Sequence, residues 1–230
     1  MLRIGGVSMR IIWSLAIGYL IGGINPAYLF ARRRGFDIRK HGSGNAGASN
    51  AVITMGKKVG FLSALFDIIK AYFAVKITEA LFPGSVVYAA LSGAGCILGH
   101  IFPLFLRFRG GKGLACLGGV ILAFNPLVFL LMLVAEVILV LIVDYICVVP
   151  ITASVIFPVV YQLMTWNSIG TTVYAVVGFI MICKHIENLK RIYHGTEFHF
   201  SFLWKRDKEL DRMEGRAYDS LLDAQRKNKQ

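Results

Sequence analysis

From Leu114 to Trp166 the chain is almost continuously apolar, with Asn125-Pro126 and Asp144-Tyr145 as its main polar breaks. A helical crossing of a bilayer takes ~20 mostly apolar residues. The run is therefore too long for one span and reads as three, divided at those breaks, the first of them short. Ile11 to Ala31, Val59 to Ala80 and Val86 to Leu106 each reach the length of a span, and Gly170 to Cys183 forms a last, shorter run. The expected fold is an all-α, polytopic membrane helix bundle of seven crossings. Two of the seven fall short of a full span, which is tolerated where a segment lines a protein cavity instead of facing lipid. With 56% hydrophobic and 17% charged residues and a mean hydropathy of +0.63, the bilayer is the expected solvent. No small-residue cleavage site follows the first run, so it reads as a retained span and not a signal peptide.

A net charge of +12 would suggest nucleic acid in a soluble protein. Here the basic residues gather in Arg32–Lys58, in Arg107–Lys112 and from Lys184 onward, while Leu81–Ser85 and Asn167-Ser168 carry none. That pattern reads as membrane topology and binding of an anionic substrate, with no nucleic-acid partner. Seven crossings put all three clusters on one side, the cytoplasm by the positive-inside rule, with the N-terminus outside and the C-terminus inside. Arg3 and Arg10 oppose this but are outweighed. The four cysteines (Cys96, Cys116, Cys147 and Cys183) lie in or beside apolar runs and read as core residues, not as a metal set. The composition divides the chain into a membrane part, 1–197, and a cytoplasmic tail, 198–230. In the tail, aromatic residues Phe198 to Trp204 read as an interfacial anchor ahead of a solvated segment.

Four segments could carry chemistry. Gly42-Ser43-Gly44-Asn45-Ala46-Gly47-Ala48-Ser49-Asn50 is small and polar, and could present amides and neutral donors to an anion or serve only as a flexible loop. His100 with Arg109-Gly110-Gly111-Lys112-Gly113, ahead of an apolar helix, puts a lysine in a glycine turn at a helix N-terminus. There the unpaired amides, the helix dipole and the ammonium favour phosphate; a plain basic loop is the alternative. In Lys184-His185-Ile186-Glu187-Asn188-Leu189-Lys190-Arg191, His185 and Asn188 share a helical face, as do Glu187 and Arg191, which could simply pair. Asp67 and Lys70, three apart in an apolar helix, either neutralise each other or line a cavity. Glu136 is a lone charge in its span, and Asp144 reads as an exposed charge at a helix boundary.

Taken in order, the GSGN loop, the D-x-x-K helix, GHIFP…RGGKG and H-x-EN-x-KR followed by Gly195-Thr196-Glu197 resemble the bacterial acyl-phosphate-dependent glycerol-3-phosphate acyltransferases, the PlsY family. The resemblance implies an enzyme of phospholipid biosynthesis in the bacterial inner membrane, with its site facing the cytoplasm. It would move an acyl chain from acyl phosphate to the 1-hydroxyl of glycerol 3-phosphate, giving lysophosphatidic acid without metal or other cofactor. Ser43 and Lys112 would then be catalytic. Gly42, Gly44, Asn45, Gly47, Asn50, His100, Gly110, Gly111, Gly113, His185 and Asn188 would bind substrate, and Asp67, Lys70 and Glu187 would line or brace the cavity.

The pattern departs at Ile53, where the family has an arginine expected to hold the acceptor phosphate, and at Lys184 and Ile186, where arginines are usual. Lys57, Lys58 or Arg39 are the candidates to replace the lost cation. The departures leave open an acceptor-altered or non-catalytic paralogue that binds anionic lipid or a phosphorylated ligand. The intramembrane charges also raise a small transporter, for which no inverted repeat is present.

Overall fold

The computed structural model describes residues 2–205 and 207–214, with side chains from Met9 onward. Among them the chain is helical throughout, with α1 (Leu2–Gly22), α2 (Pro26–Arg33), α3 (Ala48–Met55), α4 (Lys57–Leu81), α5 (Val86–Ile101), α6 (Leu114–Phe124), α7 (Pro126–Val143), α8 (Val148–Thr165) and α9 (Ser168–Tyr193). Residues 207–214 form a further helical segment. α1 and α2 together cover the first of the seven apolar runs and α4 to α9 match the other six; α3 is a short helix inside the first basic region. Asparagines start three of these elements. Asn25 accepts from Tyr28 N, Asn125 from Leu127 N and Val128 N, and Asn167 from Gly170 N, so each meets amides that the helix itself leaves unpaired. Proline follows Asn25 and Asn125 at the position where its missing N–H is no loss.

Among the described residues, five segments are long and apolar enough to cross a membrane: Met9–Arg33, Val86–Leu106, Pro126–Val143, Val148–Thr165 and Ser168–Tyr193. α4 has the length, but Asp67, Lys70, Lys76 and Glu79 interrupt it. α6 has only 11 residues. These two pack on each other at Gly119, where a side chain would strike the Ile68 carbonyl.

α1 and α5 form the closest pair. Gly18, Gly22, Gly95 and Gly99 put backbone against backbone: Cβ atoms there would meet Ser92, Cys96, Leu15 and Tyr19 main-chain atoms respectively. Small residues four apart permit this approach in membrane helices, where packing must do what the hydrophobic effect does in water. On the other side of the bundle, Pro158 leaves the Ser154 carbonyl without its helical donor, and Gly178 of α9 lies against that carbonyl. Phe124, Phe157, Tyr161 and Tyr174 complete the core with ring centroids 4.9–6.0 Å apart.

The three basic regions share one end of the bundle. Arg39 Nη1 reaches Leu106 O at 2.7 Å, Lys112 donates to Asn188, and Phe200 N donates to Asp144 O at 2.6 Å. The opposite end is short turns, where Tyr161 Oη donates to Val86 O.

Asp144 differs from the exposed charge expected of it. It is half-buried, in the left-handed region at φ 60°, and its carboxylate accepts from Ser201 N at 2.7 Å and Ser201 Oγ at 2.9 Å. The start of the tail is accordingly folded back, with Phe202 buried, while most of residues 207–214 are exposed apart from Glu209. Residues 215–230 of the expected tail lie outside the described residues. Glu136 does have a partner, Thr152 Oγ1 on α8, at 2.8 Å.

Candidate active site

The loop 41–47 turns through left-handed glycines, Gly42 at φ 58° and Gly44 at φ 73°. Asn50, fully buried at the start of α3, ties it down. Its Oδ1 accepts from Ser43 N at 2.9 Å, and its Nδ2 faces the carbonyls of Ile38, His41 and Asn45 at 3.0, 3.0 and 2.8 Å. Asn50 is thus occupied within the protein rather than presented to a ligand. The amides of Ser43 and Gly44 are taken as well, the second by His41 O at 3.1 Å. The side chains of Ser43 and Asn45 are left facing the opening beside the loop.

The glycine turn is built on His100. Gly111 N donates to His100 O at 3.0 Å and Gly110 N to Ile101 O at 3.1 Å. A Cβ on Gly110 would collide with His100 O, and one on Gly111 with the imidazole. Gly113, at φ 95°, begins α6, whose first-turn amides have no helical partner. Just upstream, Arg107 and Phe108 sit at φ 55° and 60°, a conformation that side chains disfavour and that recurs at functional loops. Beneath the turn, Asp67 Oδ1 lies 2.6 Å from Lys70 Nζ and 3.2 Å from His100 Nδ1. Of the two alternatives for Asp67 and Lys70, the first is seen: they neutralise each other and, through His100, sit beneath the turn without lining the cavity. Asp67, His100 and Cys116 bring one donor atom each within 4.8 Å. The Lys70 ammonium already supplies the positive charge at that carboxylate.

The loop and the turn meet. A Cβ on Gly47 would lie 3.9 Å from Gly111 Cα. Between them opens a cavity of about 420 Å³. Ser43, Gly44 and Asn45 line one wall, and Gly110, Gly111 and Lys112 the other. Cys183, Lys184 and Glu187 of α9 close it, with Phe108 and Ile101 as apolar lining. Lys112, half-buried, donates to Asn188 Oδ1; Asn188 Nδ2 donates to Glu197 Oε1 at 2.5 Å, and Arg191 Nε to Glu197 Oε2 at 2.6 Å. Burial, then the nearby Arg191, pushes the Lys112 ammonium below the usual lysine range, against the opposing pull of Glu197 and Glu187.

Most of the residues expected at the site are at this cavity or one contact from it. His185 is not: it is buried, with Nδ1 at 2.7 Å from Met181 O. The possible Glu187–Arg191 pair does not form; Arg191 pairs with Glu197, leaving Glu187 at the cavity. Cys183, read as core, is exposed there. Five lining residues were not among the expected site residues, Ile101, Phe108, Arg109, Cys183 and Lys184, though all lie in or beside the motifs. Ile53 does not line the cavity, and neither do its expected substitutes. Arg39 is held by Asp37 at 2.7 Å, whose carboxyl that contact draws down to about 2. The cations that line the cavity are Arg109, Lys112 and Lys184.

Residues 12–195 match the family model described as glycerol-3-phosphate acyltransferase. The chain is 37% identical over 191 residues to a glycerol-3-phosphate acyltransferase of Thermoanaerobacter sp. (strain X514), covering 82% of this chain and 95% of that one. It is 33% identical over 190 residues to that of Bacillus subtilis (strain 168), covering 82% and 97%. Among solved structures it resembles the glycerol 3-phosphate form of PlsY (YgiH), an integral membrane glycerol 3-phosphate acyltransferase. That likeness has a TM-score of 0.77 at 30% identity, over 84% of this chain and 96% of that one. The lysophosphatidic acid form of the same enzyme gives 0.74 at 29% identity. By this match, which spans both walls of the cavity, the chain belongs to the glycerol-3-phosphate acyltransferase family.

Proposed function

We propose that this chain transfers an acyl group from acyl phosphate to the 1-hydroxyl of glycerol 3-phosphate, yielding lysophosphatidic acid and inorganic phosphate. The observation that carries the reading is the single cavity in which Ser43 and Lys112 face each other across two glycine-rich walls at one end of a membrane bundle. The hydroxyl oxygen bonds to the acyl carbon, the bond from that carbon to the phosphate oxygen breaks, and the hydroxyl proton goes to the departing phosphate. An acyl phosphate carries its own good leaving group, so no strong base is needed. Lys112 and the first-turn amides of α6 neutralise charge on the phosphate, and Ser43 and Asn45 donate hydrogen bonds from the facing wall.

Two substrates that both carry phosphate need more than one cation, and the side chain at Ile53 supplies none. Arg109 and Lys184 take that part. Loss of a hydrogen-bonded charge typically removes 1.5–3 kcal/mol, or about 10- to 100-fold. Arg109→Ala and Lys184→Ala should each raise KM for glycerol 3-phosphate about tenfold or more with a smaller change in kcat, measured by phosphate release. The reading itself is tested with purified protein: release of phosphate with both substrates present, matched by lysophosphatidic acid, supports it. Background release would remove it, and turnover with a different alcohol alone would show a changed acceptor.

In this reading α1 and α4 to α9 make seven crossings, with the cavity on the cytoplasmic face of the inner membrane. Basic connections at one end and none at the other support that orientation. Cys183 offers the check, because the other three cysteines are buried. A membrane-impermeant maleimide should label Cys183 in inverted vesicles and leave it unlabelled in spheroplasts; the reverse pattern would invert the topology.

A further inference from the structure

The family match ends at residue 195, yet the chain beyond it is docked against the cavity's supports. His199 N donates to Glu209 Oε1 at 2.8 Å, and the His199 ring bridges Glu209 Oε2 and Tyr145 Oη, each at 3.0 Å. Glu209 is only 5% exposed and is held 2.5 Å from Arg212 Nη2. The guanidinium then reaches back, Nη1 to Gly195 O at 2.7 Å and Nη2 to Glu197 O at 2.6 Å. Arg212 therefore clamps the main chain on either side of Thr196, and so fixes where the Glu197 carboxylate points.

That carboxylate decides the orientation of an amide. Asn188 has one oxygen and one NH2 group, and its Nδ2 donates to Glu197 Oε1. Its oxygen is thereby turned to the opposite side, where it accepts from the Lys112 ammonium. With the carboxylate displaced, the amide could rotate and present N–H groups to Lys112, which repel it. A side chain locked by such outer partners is held far more narrowly than one left to its own rotamers.

We propose that residues 198–214 are a positioning element for the active site, with Arg212 acting through Glu197 and Asn188 to hold the Lys112 ammonium in the cavity. The proposal rests on the acyltransferase reading for its kinetic arm only. Arg212 is a positioning residue; it touches no part of the cavity itself.

The test uses the purified full-length chain and Arg212→Ala, with Glu209→Gln as a second variant should the first lower the melting temperature. Lys112 and Lys184 are acetylated with a water-soluble N-hydroxysuccinimide ester, and their rates are compared by peptide mass spectrometry. The Lys112-to-Lys184 rate ratio should change by about fivefold or more. In parallel, kcat/KM for glycerol 3-phosphate should fall about tenfold, and the Arg212→Ala/Asn188→Ala double variant should lose no more than the worse single one, as coupled sites do. A rate ratio within twofold of wild type, with losses that multiply in the double variant, would overturn the proposal. If the wild-type chain shows no acyl transfer, the functional reading falls and the labelling ratio alone decides this one.

Discussion

Lys112→Ala should lower kcat/KM for acyl transfer by about 10²–10³-fold, the range seen when one preorganised charge-stabilising donor is removed. The side chain is half-buried and not part of the packed core, so the melting temperature in detergent should hardly move. Unchanged activity would show that the glycine turn does not handle the reacting phosphate. The same residue sets a pH limit. Burial and Arg191 lower its pKa, and the charged form is the one that binds phosphate. Activity is therefore full below that pKa and lost as pH rises through it, at a pH lower than for an ordinary lysine. The basic limb of kcat/KM, which reports the free enzyme, should shift to higher pH or vanish in Lys112→Arg, because a guanidinium does not deprotonate in that range.

Gly99→Val should disrupt the fold. Its first side-chain carbon would meet the Tyr19 main chain, as one at Gly22 would meet that of Cys96. Neither obstacle is a side-chain tip that can swing aside, so α1 and α5 must separate. Overpacking of a tight core costs about 1–3 kcal/mol and occasionally more; here the separation also breaks the neighbouring glycine contacts. The damage should reach the site, because Tyr19 Oη donates to Phe102 O at 2.6 Å, just ahead of the turn. The expected result is a strongly reduced folded yield and a melting temperature lowered by many degrees in detergent. Gly118→Ala is the control: its added carbon would rest in ordinary contact with Phe129 at 3.5 Å. Equal stability of Gly99→Val and wild type would mean that the two helices are not so closely apposed.

The helices and their common basic end were legible because bilayer crossing leaves long apolar runs and lysine and arginine clusters, both local signals. Asn125-Pro126 marked a helix start for the same reason. The joining of Ser43 to Lys112 was legible only through the order of the motifs. Which polar groups face a ligand was not. Asn50 and His185 look identical in sequence whether they bind substrate or hold the backbone, and in the fold both are bonded to main-chain groups. Arg191 had a helical neighbour at the right spacing but bonds to a residue beyond the helix end. The docking of 198–214 depends on contacts with Asp144 and Tyr145, more than fifty residues away in the chain, and no periodicity encodes such a contact. The glycines four apart in α1 and α5 were a readable signal that the charge-based reading passed over.

α6 has 11 residues and α7 has 18, both measured from the shared turn at Asn125. At 1.5 Å per residue, side by side, the start of α6 lies about 10 Å below the end of α7. The glycine turn thus lies deeper along the bundle than Asp144, which ends α7. A water-soluble acceptor would have to descend that distance to react. The newly made ester would be left at the depth of its own leaflet, while the freed phosphate climbs out by the path the acceptor took in.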